Sequence, residues 1–238
     1  MKRHDYGAGY RLNEAVKCPT QALKRAARIG VLIHEEAAFP EKAEKEAMLV
    51  VSYGTADEAA YEAALAATME EIAEEHPGVT ITQAFTSEVM IRRFAERTGI
   101  RLPRPEAALE GLASQGFTRV AMVSLDFFPG LDYSLLTAIF QAYRTRFKKL
   151  VLGTPLMYWM AQEEQRDDVA DFARALYETF PPRQEGEAIL LMGHGTPHPS
   201  NSFYAVLQDR LDTAGLDDVF VYTMEDRKST RLNSSHGS

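Results

Sequence analysis

Residues 188–196 (AILLMGHGT) form a short apolar run that ends in a histidine held between two glycines. An imidazole at the tip of such a run suits two kinds of chemistry, ligation of a divalent first-row metal and proton transfer near neutral pH. Residues 47–55 (AMLVVSYGT) repeat the pattern, with Tyr53 standing where the later copy has His194. Each copy reads as a buried parallel strand feeding a loop at its carboxyl end, the edge at which α/β sheets take their ligands. A duplicated α/β half with a histidine in one copy alone points to a metal or proton-transfer site at His194. His198 follows four residues later, where a helix begins, and there it suits proton transfer and helix capping equally well.

The elements that would position these residues alternate strand and helix from Ala47 onward, which predicts a parallel sheet covered on both faces. The next strands are expected at 79–85, 119–125 and 149–153. Tyr61, Leu65, Met69 and Ile72 mark one helical stripe, and Leu136, Ile139, Phe140, Tyr143 and Phe147 mark another. Pro103 and Pro105 open a further helix that Gly116 closes. A connecting helix carries Val169, Phe172, Ala173, Leu176 and Phe180 and stops at Pro181-Pro182. The second half then starts at 188, with a helix over 200–213 and a strand over 218–223. The expected fold class is α/β, with two similar flavodoxin-like parallel-sheet domains, the second incomplete.

Bulk properties narrow the function classes. With 238 residues, the chain is long enough for one large domain or two small ones. No apolar run is long enough for a membrane span, and the basic amino terminus lacks the apolar core of a secretory signal. Cys18 is the only cysteine, which excludes an internal disulfide and a thiolate cluster and suits the cytoplasm. A formal charge of −8 argues against nucleic acid as a partner, because phosphate binding needs a basic face. A homo-oligomer is compatible with all of this.

Both ends read as foreign to the domain. Residues 226–238 (DRKSTRLNSSHGS) lack apolar periodicity and resemble a translated sequencing adapter, so natural sequence is expected to stop near Glu225, and His236 carries no weight. Removing this net-basic tail leaves the body more acidic still. Residues 1–46, with a helix-like piece at 21–33 and a charged run at 41–46, read as a doubtful extension. The expected division is therefore an extension over 1–46, a first domain over 47–160, a connecting helix and linker over 161–187, the start of a second domain over 188–225, and the tail.

An ordered set of short motifs carries a resemblance. They are residues 49–55 (LVVSYGT), 84–87 (AFTS) with 90–93 (MIRR), and Ala113 with Gln115, Gly116 and Phe117. Ser124-Leu125 before Pro129-Gly130, Leu152-Gly153 with Pro155-Leu156, and residues 192–196 (MGHGT) with His198 complete the series. In this order the chain resembles the anaerobic-type sirohydrochlorin cobaltochelatases, class II chelatases of cobalamin biosynthesis. The resemblance implies two α/β domains with a tetrapyrrole between them. It also implies divalent cobalt as substrate metal, sirohydrochlorin as partner, and neither a nucleotide nor any other organic cofactor. Carried over by motif, His194 and Glu225 would ligate the metal and accept protons. A second histidine ligand would lie beyond residue 225, so the chain as given would be inactive. Asp126 departs from the histidine expected after Ser-Leu in many relatives.

Sirohydrochlorin is rich in carboxylates, so the resemblance makes Arg92 and Arg93 candidate anchors, since guanidinium groups grip carboxylates in a bidentate manner. Gly54 and Thr55 would approach the macrocycle closely, and His198, at the helix start beside the His194 loop, is a further substrate-binding candidate. An apolar cluster at 157–160 (MYWM) would either floor a cleft or pack between domains. Iron or nickel could replace cobalt on the same ligands. A carrier that binds tetrapyrrole or metal without catalysis is the alternative from a different class. A hydrolase or phosphatase is disfavoured, because the chain has neither a Gly-x-Ser-x-Gly elbow nor a phosphate loop with lysine.

Overall fold

The computed structural model describes residues 30–161 and 166–224. Cys18, Glu225, His236 and the adapter-like tail lie outside the described residues. The described chain divides into two compact units, one containing residues up to Asp126 together with Asp132–Pro155, the other Phe127–Leu131 together with residues from Leu156 onward.

In the first unit, β1 (Leu32–Glu35), β2 (Glu46–Ser52), β3 (Thr80–Phe85), β4 (Arg119–Ser124) and β5 (Lys149–Leu152) form one five-stranded sheet in the order β1-β5-β4-β2-β3. Strands β2 to β5 pair in parallel, and β1 pairs antiparallel with β5, placing Leu32 opposite Leu152. The expectation of a purely parallel sheet is therefore corrected at one edge. Leu32 and Ile33, expected at the end of a helix, lie in this strand, because the unpaired side of β5 offers a ladder to any extended segment nearby. β2 lies between two neighbours and is covered on both faces, so Leu49, Val50 and Val51 are fully buried. Burying each such side chain contributes about 1.5–3 kcal/mol.

Four helical stretches follow from the sequence pattern. Asp57 caps α1 (Glu58–Ala60), which runs through a π-helical stretch, Tyr61–Ala66, into α2 (Ala67–Glu75). The apolar spacing gives no sign of the π segment. Tyr61 and Leu65 still reach the core, packing against Phe85, Ile91 and Phe94. Ser87 caps α3 (Glu88–Thr98), and Gly99, at φ 75°, ends it. Pro105 opens α4 (Pro105–Ser114), as the two prolines predict. α5 (Leu131–Tyr143) buries Tyr133, Leu136, Ile139 and Phe140.

In the second unit, α6 (Asp168–Glu178), β6 (Ile189–Gly193), α7 (Ser202–Thr213) and β7 (Val219–Thr223) build a small layer. β6 and β7 pair in parallel, with Gly193 opposite Thr223. Val169 and Ala173 of α6 share one core with Met157, Phe203, Leu207, Leu211 and Val219. The helix expected as a connector thus belongs to this unit, and Met157 of the apolar 157–160 cluster is part of its core. Phe128 joins the same core by stacking on Phe203 at 5.7 Å. No helix among the described residues is long and apolar enough to cross a membrane.

Candidate metal and tetrapyrrole site

The strand order of the first unit places its topological switch point between β2 and β4, since the chain leaves β2 to one side for β3 and crosses back to β4 on the other. Ligands of open α/β sheets bind outside the carboxyl ends of the strands flanking such a point. Tyr53, Gly54 and Thr55 follow β2 there, and Asp126 follows β4. The backbone turns at Gly54, with φ 97°. Thr55 Oγ1 accepts the Asp57 N–H at 3.1 Å, and the Thr86 N–H, just after neighbouring β3, donates to the Ser52 carbonyl at 2.9 Å.

The second unit repeats both of these hydrogen bonds. Gly195 has φ 81°. Thr196 Oγ1 accepts the His198 N–H at 3.2 Å, and the Met224 N–H donates to the Gly193 carbonyl at 3.0 Å. Asp57 caps the helix after the first turn, and His198 caps the short 3-10 turn Pro199–Asn201 after the second. The repeat in residue types is therefore a repeat in hydrogen bonding, with Tyr53 and His194 at equivalent, exposed tips.

The two histidines use Nδ1 differently. His194 Nδ1 lies 3.2 Å from the Gly195 carbonyl oxygen. A carbonyl only accepts, so this contact is a hydrogen bond when Nδ1 carries the proton. His198 Nδ1 instead accepts the Ser200 N–H at 3.2 Å and lies 2.9 Å from Ser200 Oγ. Its lone pair is used in the cap, and its Nε2 carries the proton. His198 is therefore a hydrogen-bond donor at this edge, and the capping alternative describes its Nδ1.

The remaining candidates are placed as follows. Ser87 donates its N–H to the Tyr53 carbonyl at 3.3 Å, which ties the start of α3 to the Gly54–Thr55 turn. Arg92 and Arg93 lie further along α3 on its exposed face, where Arg92 faces Glu96 of the same helix at 4.0 Å. Glu225 lies outside the described residues. Met224, just before it, is bonded to Gly193, just before His194. Among the described residues, no group of three His, Cys, Asp or Glu side chains converges as metal ligands.

In the sequence Asp126 stands out only as a departure, and its environment is visible only in the fold. Its carboxylate accepts the Ser124 hydroxyl at 2.7 Å, and its N–H donates to the same hydroxyl oxygen. Burial, reinforced by the nearby Asp132 charge and opposed by the Ser124 hydrogen bond, pushes its pKa up to about 6. Asp132 is itself held by the Thr86 hydroxyl at 2.6 Å. Because folding raises this pKa, the folded state holds a proton that the unfolded chain has lost, and stability falls as pH rises from about 4 to about 6. Asp126→Asn keeps an acceptor for Ser124 and removes the charge. It should therefore stabilise the protein by up to about 3 kcal/mol near pH 7.5, with the gain vanishing near pH 4. Urea midpoints at the two pH values check this, and equal gains at both would contradict it.

The cobalt chelatase (CbiK) family model matches residues 46–231. The chain belongs to the cobalt chelatase family. It is 34% identical over 170 residues to the sirohydrochlorin cobaltochelatase of Salmonella typhimurium, covering 71% of this chain and 62% of that protein. It is 33% identical over 169 residues to the sirohydrochlorin cobaltochelatase CbiKC of Nitratidesulfovibrio vulgaris, covering 68% of this chain and 56% of the relative. The chain thus spans less than two thirds of the length of either curated relative. The family match takes in both glycine turns, Asp126 and His198. Its span also includes residues 226–231, the first part of the adapter-like stretch.

Proposed function

We propose that the protein inserts divalent cobalt into sirohydrochlorin, the macrocycle releasing two pyrrole protons as the ion enters. The observation that carries this reading is the exposed His194 on a strand-end glycine turn, in a chain of the cobalt chelatase family. In this proposal His194 ligates the incoming ion through Nε2, and Glu225 adds a carboxylate that offsets charge and takes a proton. The His198 Nε2–H donates to a substrate carboxylate, with Arg92 and Arg93 as further anchors. Gly54 and Thr55 allow the first turn to approach the macrocycle without a side chain in the way. No organic cofactor enters the reaction, and a cytoplasmic setting suits a chain whose single cysteine is Cys18.

Cobalt insertion is followed by the change in the visible absorption of sirohydrochlorin. Measured in a full-length parent protein, His194→Ala should lower the rate at least about hundredfold, as expected when a ligand to the reacting metal is lost. An unchanged rate would remove His194 from the mechanism.

A further inference from the structure

Cobalt insertion frees two pyrrole protons, and Glu225 accounts for one acceptor. Asp126 is placed to take the other. It stands at the switch point, two residues past Ser124, which pairs with Val51 on β2. The Leu125 N–H donates to the Val51 carbonyl at 2.8 Å, so the bonding between β2 and β4 runs up to the residue before Asp126. Gly54 and Thr55 leave the same pair of strands three and four residues past Val51. Asp126 therefore borders the turn that the macrocycle approaches in the chelatase reading, at the edge where such sheets take ligands.

Its carboxylate is held without being used up. Ser124 is buried, and its hydroxyl donates to Asp126 Oδ2 at 2.7 Å while the Asp126 N–H donates back to the Ser124 oxygen at 3.2 Å. This closed pair fixes the side chain through one oxygen and leaves Oδ1 for an incoming proton. Protonation at Oδ1 keeps Oδ2 as the acceptor for Ser124, so the group passes between its two states without repacking. The residue is partly exposed, which gives the proton a way out to water. The charged group that faces it is Asp132, in the first turn of α5, held by the Thr86 hydroxyl just after β3. With its pKa pushed up to about 6, chiefly by burial, Asp126 is still ionised at pH 7.5. It nevertheless holds a proton far better than an ordinary aspartate, the balance that a general base near neutral pH needs.

We infer that Asp126 is a catalytic base of cobalt insertion, with Ser124 as its positioning residue. Asp126 Oδ1 takes a pyrrole proton as the N–H bond breaks, and the electron pair left on nitrogen binds the entering ion. The inference rests on the chelatase reading of the site.

In a full-length parent protein, Asp126→Asn should lower kcat for cobalt insertion about 100-fold or more, with the KM for sirohydrochlorin within about twofold of wild type. Asparagine should stabilise the fold near pH 7.5, so unfolding cannot account for the loss, and urea midpoints give the control. Asp126→His restores a base of similar proton affinity and should recover at least about tenfold of the lost rate. Cobalt binding by the macrocycle-free protein, read from the visible absorption of the ion, should be unchanged in Asp126→Asn and weakened in His194→Ala. A wild-type kcat in Asp126→Asn, a loss confined to KM, or Asp126→His as slow as Asp126→Asn would overturn the base. Weakened cobalt binding in Asp126→Asn would overturn it as well, by making the carboxylate a metal ligand. Under each of these results the chelatase reading stands as long as wild type inserts cobalt and His194→Ala does not. A parent protein that inserts no cobalt would overturn both.

Discussion

Replacing Gly54 by alanine should destabilise the first unit by roughly 2–5 kcal/mol, as two separate costs add. The first is conformational. At φ 97° the Gly54 backbone lies in a region that an L residue with a Cβ rarely enters. The second is steric, because the new Cβ would sit 2.5 Å from Phe85 Cδ2 and 2.6 Å from its Cγ. Phe85 cannot yield easily. It is fully buried, lies 5.9 Å from the Phe94 ring, and is flanked by Tyr61, whose hydroxyl donates to Gln83 Oε1 at 2.8 Å. Urea denaturation of wild type, Gly54→Ala and the double variant Gly54→Ala/Phe85→Leu separates the two costs. The smaller side chain should relieve the clash while the backbone strain remains. A Gly54→Ala protein as stable as wild type would mean that the turn relaxes freely, and the close approach proposed for Gly54 would lose its structural basis.

Asp168→Ala should cost the second unit roughly 3–5 kcal/mol, although this residue has no place in the proposed chemistry. Asp168 opens α6 and is only 7% exposed. One carboxylate oxygen accepts the N–H groups of Tyr158 and Trp159 at 3.0 and 2.8 Å, and the other meets Arg166 at 2.6 Å. A further bond runs from the Asp168 N–H to the Trp159 carbonyl at 2.9 Å, so the 157–160 segment is tied to the helix start from both sides. Alanine strips the acceptor from both amides at once. The substitution Asp168→Asn retains one acceptor oxygen, loses the ion pair, and should cost about 1–2 kcal/mol. Thermal or urea unfolding of the two variants checks the order. If alanine and asparagine cost the same, the ion pair rather than the amide bonds holds the segment.

The second of these results bears on the 157–160 cluster. Four large apolar residues in a row suggest a cleft floor or a domain contact, yet Met157 is core and its neighbours are held by a carboxylate nine to ten residues away in sequence. Nothing in composition marks an aspartate as the acceptor for a particular loop, because the bond exists only once α6 has packed beside that loop.

Much of the fold is nevertheless legible without coordinates. Short apolar stretches between turns announce β2 to β7, but the expected covering on both faces does not hold for β6 and β7, which leave Leu190, Met192, Phe220 and Tyr222 exposed on one face. The two glycine turns are equally legible, since a strand that must reverse sharply at its carboxyl end leaves glycine as the favoured residue, and the same residue types then recur in both copies. Proline at the start of α4 and the serine and aspartate caps of α3 and α1 follow from local sterics and unpaired amides, which neighbouring residues alone determine.

The tertiary structure decided what depends on distant partners. β1 is a strand because β5 has an open edge, and no pattern within residues 32–35 says so. The raised pKa of Asp126 comes from burial and from Asp132 across the turn, neither of which is a property of the Ser-Leu-Asp motif. His194 is conspicuous as a residue type between two glycines, but the amides of the turn that carries it are held by Asn201 and Tyr204, seven and ten positions later. Periodicity and residue type report what each segment does to its own backbone. The bonds that hold a turn, the charge on a half-buried carboxylate and the pairing of an edge strand are set by groups that meet only after the chain has folded.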